Sequence, residues 1–327
     1  MFLLLLVLST LVTLSFHGQA TQARGLVGSG FSFTAVGDYG QTTATTANLK
    51  YIAHSGAHFD LGLGDFNYSS KVTPAAWSAY AKNILGASFP FEILDGDHDR
   101  SQIKSLAVDL PDHMGNITGT YAKQYAFDYP ASSPLARFIL VSPGVYSYGK
   151  GSSGYNWVSQ LIDGARHANI HWVIVGMAIG CLYISSTSNS KACATSSADL
   201  LNLLISKKVD LILQAHLHNY EASKQLTLNG TSCKSISTTT YNASCVVNSS
   251  SSMSRGAGSV ILTTGTGGES LVDIKSTDPK LGYFRTWMGS NVNPTFGVSH
   301  ITISATQLSV QFVGVSGSFS DSFSIHG

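Results

Sequence analysis

Read from its amino end, the chain alternates short apolar runs with longer segments whose apolar residues recur every three or four positions. Phe33–Val36, Leu61–Leu63, Phe91–Leu94, Arg137–Val141, Trp172–Val175 and Val209–Leu213 have the length of buried strands. Between them, Thr43–His54 carries Ala44, Ala47, Leu49, Ile52 and Ala53 at an approximately helical spacing. Pro74–Leu85 opens with proline at a first-turn position and puts Trp77, Tyr80, Ala81 and Ile84 on one face. Tyr155–His167 and Ser197–Lys207 (Leu200, Leu203, Leu204) predict two further helices, each preceding a strand. Beyond Tyr220 the texture becomes β-only, with Val260–Thr264, Val298–Ile303 and Leu308–Val313 separated by Gly- and Ser-rich turns. Strand–helix repeats followed by strands predict an α/β fold: two packed mixed β-sheets flanked by helices, in one domain.

The residues that follow four of these runs add chemistry. Phe33–Gly40 reads FTAVGDYG, Leu61–Tyr68 LGLGDFNY, Phe91–Asp99 FEILDGDHD and Val209–Tyr220 VDLILQAHLHNY. If the strands are parallel, all four polar clusters emerge at one carboxyl edge of one sheet, where open α/β sheets bind ligands. A Gly-Asp pair at a strand end is ordinarily a turn or a helix cap, and an H-x-H pair arises by chance. Four such pieces in order, each at a predicted strand end, point instead to a metal site. Asp38, Asp65, Tyr68, Asp97, His98, His216 and His218 are too many ligands for one ion, so two adjacent metals are expected. His54, His58, His167 and His300 read as surface or packing residues, and His113 as a candidate for lining a substrate pocket. Gly265-Thr266-Gly267-Gly268 lacks the lysine and helix of a P-loop and reads as a tight turn beside the site. Glu221 and Lys224, just past the histidine pair, read as supporting or exposed residues.

Composition narrows the setting. Only 11% of residues are charged and the formal net charge is +1, so nothing electrostatic calls for a nucleic acid or an anionic membrane. Met1–Ala20 is apolar, too short to span a bilayer comfortably, and ends in Gly18-Gln19-Ala20, as a cleaved secretory signal does. Residues 21–327 then form a secreted, extracellular single domain with no membrane partner. The four cysteines suit that compartment, and local pairs Cys181–Cys193 and Cys233–Cys245 are the simplest of three connectivities. Sequons stand at Asn67, Asn116, Asn229, Asn242 and Asn248. Three of them lie in the polar segment Lys224–Met253, expected to be a glycosylated surface excursion. Asn67, beside Tyr68, is expected to stay unmodified because a glycan there would crowd the site.

The order GDYG, GDFNY, GDHD, AHLHNY resembles the metallophosphoesterase superfamily, and Tyr68 resembles its purple acid phosphatase branch, over roughly Phe31 to Val313. The resemblance implies a four-layer α/β/β/α sandwich and a secreted phosphate-ester hydrolase that generates hydroxide at a binuclear metal centre. It implies iron(III) at Asp38, Tyr68 and His218, a bridge through Asp65, and a divalent iron, zinc or manganese ion at Asp97 and His216. His98 would assist the leaving-group oxygen as the catalytic residue. Phenolate and carboxylate suit a trivalent ion and imidazole a divalent one. Two departures from the family pattern concern the second metal. Asp97 replaces an asparagine, and Ala178, in Trp172–Ala178, stands where a histidine ligand is expected, at a position anticipated to be open to solvent. His171 lies too far along an extended strand to substitute for it. These departures motivate an alternative: a degenerate member acting as an extracellular binding or structural protein.

Overall fold

The structure, a computed structural model, describes residues 30–184 and 195–327; the signal-like segment and Cys193 lie outside them. Two large sheets pack face to face. One has seven strands in the order Ser252–Ser254, Asp321–His326, Gln307–Ser316, Phe296–Ile303, Phe31–Val36, Asp60–Gly62, Phe91–Ile93. The other has eight, in the order Phe284–Met288, Tyr220–Ser223, Val260–Thr264, Leu211–Gln214, Trp172–Met177, Ala136–Val141, Gln124–Tyr129, Thr118–Thr120. Both are mixed: the second sheet has a parallel core with antiparallel flanks, whereas the first has three parallel strands along one edge joined to antiparallel strands. Phe31–Val36, Asp60–Gly62 and Phe91–Ile93 run parallel in the first sheet. Ala136–Val141, Trp172–Met177, Leu211–Gln214 and Val260–Thr264 run parallel in the second.

Side-chain alternation explains why the parallel strands read as unbroken apolar runs. Phe33 and Ala35 from one sheet meet Phe138, Leu140, Ile174 and Leu213 from the other in the central layer. On the opposite faces, Ile139, Val141, Val173 and Val175 pack under Val158, Ile162, Leu200 and Leu204 of two helices. Val36, Phe91 and Ile93 pack under Leu49, Ile52, Trp77 and Ala81 of two others. Strands covered on both faces have no reason to alternate with polar residues. The result is the four-layer sandwich with helices outside.

The helix ends are where local sequence dictates them. Thr42 makes a capping box with Thr45 at the start of Thr43–His54, and Thr73 caps Pro74–Leu85, which carries proline in its first turn. The other two expected helices run Ser153–His167 and Thr195–Ser206, and the strand before the histidines runs Leu211–Gln214. A short helix, Ile103–Asp109, follows the GDHD segment. Cys233 and Cys245 form a disulfide. Cys181 is also disulfide-bonded, and its expected partner Cys193 lies outside the described residues. No helix among the described residues is long and apolar enough to cross a membrane.

Candidate metal centre

The four motifs do meet, but not along one sheet. Asp38, Asp65 and Asp97 follow three parallel strands of the first sheet, whereas His216 and His218 follow Leu211–Gln214 of the second. The expectation of a single sheet edge is therefore corrected. The cluster forms where the carboxyl ends of two face-to-face sheets open onto the same cleft. Neither sheet alone carries all the donors.

Backbone geometry aims the side chains. Asp38, Asp65 and His216 all adopt left-handed φ values of 63°, 54° and 75°. Non-glycine residues rarely sit there, and such strain persists where the surroundings impose it. Each turns the chain sharply at a strand end. Two glycines make room: a Cβ at Gly96 would lie 2.2 Å from Asp65 Oδ1, and one at Gly265 2.4 Å from Asp38 Oδ2. The Gly265–Gly268 turn thus serves as a backbone brace under the site, held by Asn48 Nδ2, which donates to the carbonyls of Thr266 and Gly267.

Two overlapping groups of donors result. Tyr68 donates its hydroxyl to Asp38 Oδ1 at 2.8 Å and lies 3.1 Å from His218 Nε2, which is 3.6 Å from the same Asp38 oxygen. His218 Nδ1 is 2.9 Å from the Ser270 carbonyl, which fixes the ring and leaves Nε2 facing the tyrosine. In the second group, Asp65, Asp97 and His98 each offer a donor atom within 4.8 Å of the others. His216 Nδ1 lies 2.9 Å from Asp97 Oδ1 and 3.7 Å from Asp65 Oδ2. Asp38 links the two groups, because its Oδ2 accepts the His216 N–H at 2.9 Å. His98 is exposed, its ring centroid 4.4 Å from that of Tyr68 and its N–H donating to Asp65 Oδ1.

The electrostatics are those of acids crowded without cations. Burial and the neighbouring Asp65 push Asp38 up to about 6 against the pull of His218. Burial and the adjacent carboxylates hold the Tyr68 phenol well above its usual range. Burial alone would raise Asp97, but its hydrogen bond and ion pair with His216 outweigh that and leave it at about 2. Burial depresses His216, yet Asp65 and Asp97 raise it to about 10. His216 Nε2 is nonetheless buried with no hydrogen-bond partner among the described residues, an orphan that a cation would satisfy. Hard carboxylate and phenolate oxygens with two imidazoles make a donor set that fits two metal ions.

Asp99, the last acid of GDHD, has no ligand role in the sequence pattern. It is fully buried, with Oδ2 accepting from the N–H groups of Asp65 (2.6 Å) and Gly96 (3.1 Å) and Oδ1 from Phe66 (3.0 Å). It ties the GDHD turn to the GDFNY turn. The run of acids in GDHD was the available signal. Glu221 is also buried rather than exposed, accepting from Ile184 N–H and from Asn219 Nδ2. His113 is occupied by Glu92, which accepts its N–H at 3.0 Å. His54, His167 and His300 make local contacts with Lys50 O, Asp163 O and Tyr51 OH.

Ala178 follows Trp172–Met177 at the carboxyl edge, as its motif position requires, but it is only 2% exposed, not open to solvent. A Cβ at Gly64 would lie 3.1 Å from the Ala178 methyl and 2.9 Å from the Gly96 backbone. The methyl group thus lies close to the Gly64 turn that carries Asp65.

No protein-family model matches the chain. It is 23% identical over 279 residues to the Fe(3+)-Zn(2+) purple acid phosphatase 12 of Arabidopsis thaliana, covering 78% of this chain and 55% of that protein. The chain spans about half the length of the curated relatives it matches. Among solved structures, the purple acid phosphatase PPD1 from yellow lupin seeds superposes with a TM-score of 0.68 at 15% identity, covering 91% of this chain and 54% of that one. GAP50, titled the anchor in the inner membrane complex of Plasmodium, superposes with a TM-score of 0.61 at 16% identity, covering 90% and 88%.

Proposed function

We propose that this chain, which has the metallophosphoesterase fold and a purple acid phosphatase-like sequence, is a secreted hydrolase of phosphate esters with a binuclear metal centre. The observation that carries the reading is the convergence of Asp38, Asp65, Tyr68, Asp97, His216 and His218 from two sheets onto one cleft. Asp38, Tyr68 and His218 would hold iron(III), Asp97 and His216 a divalent iron, zinc or manganese ion, and Asp65 both. Such a pair, when bound, supplies Lewis acidity toward phosphate oxygens and a nucleophile at moderate pH.

The chain's own residues do the rest. Tyr68 would lose its proton only where a strongly charged cation binds the phenolate oxygen, since burial and three carboxylates oppose ionisation. His218, fixed by Ser270, and His216, backed by Asp97, present oriented imidazoles. His98, exposed over Tyr68, would hydrogen-bond the leaving oxygen and hand it a proton, a role its ring contact with Tyr68 supports. Asp99 holds the two acidic turns in register. The signal-like Met1–Ala20, the disulfides and the exposed sequon at Asn229 support secretion and glycosylation.

A second reading, a degenerate member that binds or scaffolds, is favoured by Ala178, which stands where the family pattern expects a histidine and cannot coordinate. The likeness to GAP50, the anchor in the inner membrane complex of Plasmodium, agrees with it. Metal analysis of purified protein alongside a screen of phosphate mono- and diesters decides between the two. Two metals per chain with ester hydrolysis lost in Asp65→Ala supports the enzyme; a loaded protein inert on every ester sinks it.

A further inference from the structure

We infer that this cleft selects phosphate compounds whose leaving group carries a second anionic group, and that Arg100 and Lys123 are the residues that select it. The inference rests on the hydrolase reading above.

Both cations lie on one flank of the acidic turn. Arg100 directly follows Asp99, is exposed, and donates through Nη2 to the Gly144 carbonyl at 2.6 Å. Lys123 follows Ala122, whose carbonyl accepts the Asp95 N–H at 2.8 Å, so it is fastened beside the start of DGDHD. Its Nζ stands 5.9 Å from the centroid of the Tyr146 ring, and Tyr146 donates its hydroxyl to Asp95 Oδ2 at 2.8 Å. Tyr146 thereby links the loop that Arg100 grips to the carboxylate that Lys123 faces. The charges of Arg100 and Lys123 both act on Asp95. Neither side chain has a carboxylate within ion-pair distance among the described residues. Two cations thus flank one buried acid, and the flank keeps an unspent positive charge.

The transferred phosphoryl group has the metal centre to neutralise it, so cations outside that centre act on other parts of a substrate. A guanidinium with free N–H groups matches a phosphate or carboxylate in bidentate fashion, and an ammonium adds a point charge. The competing location is the cavity of about 650 Å³ beyond Tyr68, lined by Gln41, Asn67, Ser69, Ser70, Lys71 and Glu269. There Lys71 is offset by Glu269, so it offers no net charge to an anion. In hydrolysis of an anhydride, the water oxygen bonds to the terminal phosphorus and the bond from phosphorus to the bridging oxygen breaks. The bridging oxygen leaves with the electron pair and takes a proton, for which His98 is placed, giving orthophosphate and the shorter anion.

The test compares kcat/KM of the metal-loaded full chain on para-nitrophenyl phosphate, pyrophosphate and phosphoserine. Wild type should favour the two doubly anionic compounds, less so as salt rises. Arg100→Gln and Lys123→Met should each lower the ratio of pyrophosphate to para-nitrophenyl phosphate by about tenfold, with Arg100→Lys restoring part of it. A preference for pyrophosphate but not phosphoserine narrows the second group to phosphate; equal preference leaves any anion. No preference in wild type, or a ratio unmoved by both variants, overturns the inference. Absence of turnover on all three counts against the hydrolase reading. Calorimetry of pyrophosphate against orthophosphate on the metal-loaded protein then reads selectivity independently, and equal affinities overturn it.

Discussion

At the scale of single residues, Asn67 shows how geometry overrides a modification motif. Its Nδ2 donates to the carbonyls of Val72 (2.7 Å) and Ser69 (3.2 Å), its Oδ1 accepts the Ser69 N–H, and it is 4% exposed. The nitrogen that would carry a sugar is committed to closing the loop that holds Tyr68. Peptide mapping of protein from a glycosylating host should find Asn67 bare while Asn229, on the disulfide-bearing excursion, is modified. A glycan on Asn67 would contradict the loop as described. Tyr68 itself gives an optical test. In the metal-free protein it is a neutral phenol bonded to Asp38, so the protein should be colourless. Loading with iron(III) should bring up a visible tyrosinate-to-metal band that Tyr68→Phe abolishes, and a band unchanged in that variant would remove Tyr68 from the ligands.

At the scale of elements, what was legible follows from which forces are local. Thr43–His54 and Pro74–Leu85 match their sequence reading residue for residue because a cap and a periodic face are written within a dozen positions. The candidate ligands are legible because each follows closely on an apolar run. Strands such as Tyr220–Ser223 and Phe284–Met288 escaped notice, since their pairing is decided by residues far away in the chain. The same limit hid the distribution of the site over two sheets, and the burial of Ala178. The segment after Ala178 is latched to the histidine strand. Tyr183 donates its hydroxyl to the Ala215 carbonyl, Gln214 Nε2 donates to the Leu182 carbonyl, and Glu221 accepts the Ile184 N–H. A ligand supplied at position 178 would therefore be held rigidly relative to His216. Ala178→His should raise retention of the second metal on dialysis by ~10-fold or more, at some expense in melting temperature because the methyl is buried close to the Gly64 turn. Elemental analysis after graded dialysis checks this; unchanged retention would mean that position 178 does not face the second ion.

At the scale of the whole molecule, stability should depend on pH in an unusual direction. Burial pushes Asp60 up to about 7, and Glu92 and Glu221 up to about 8. In the folded chain these acids keep protons that the unfolded chain, with ordinary carboxyl values, has already lost. The folded state then binds more protons between about pH 4 and 8, and stability falls as pH rises through that window, by at most ~1.4 kcal/mol per pH unit for each group. Asp97, held low at about 2, acts oppositely: its contribution is present above the ordinary carboxyl value and fades only in strong acid. The melting temperature should therefore be higher near pH 5 than at pH 8, and Glu92→Gln should flatten the slope; a temperature that climbs toward pH 8 would refute the burial argument. One contact has a consequence in time as well. The Asp38 carboxylate receives the N–H of His216, 178 residues later in the chain. At ~5–20 residues per second of synthesis, roughly 10–35 s separate the emergence of the two. By the end of that interval the nascent chain presents three acidic turns that have not yet met His216 or His218. On the binuclear reading, a cation pair would find both donor groups only on a chain that has extended past His218 and laid Leu211–Gln214 beside the acidic turns, so metal uptake would mark the moment the two sheets meet.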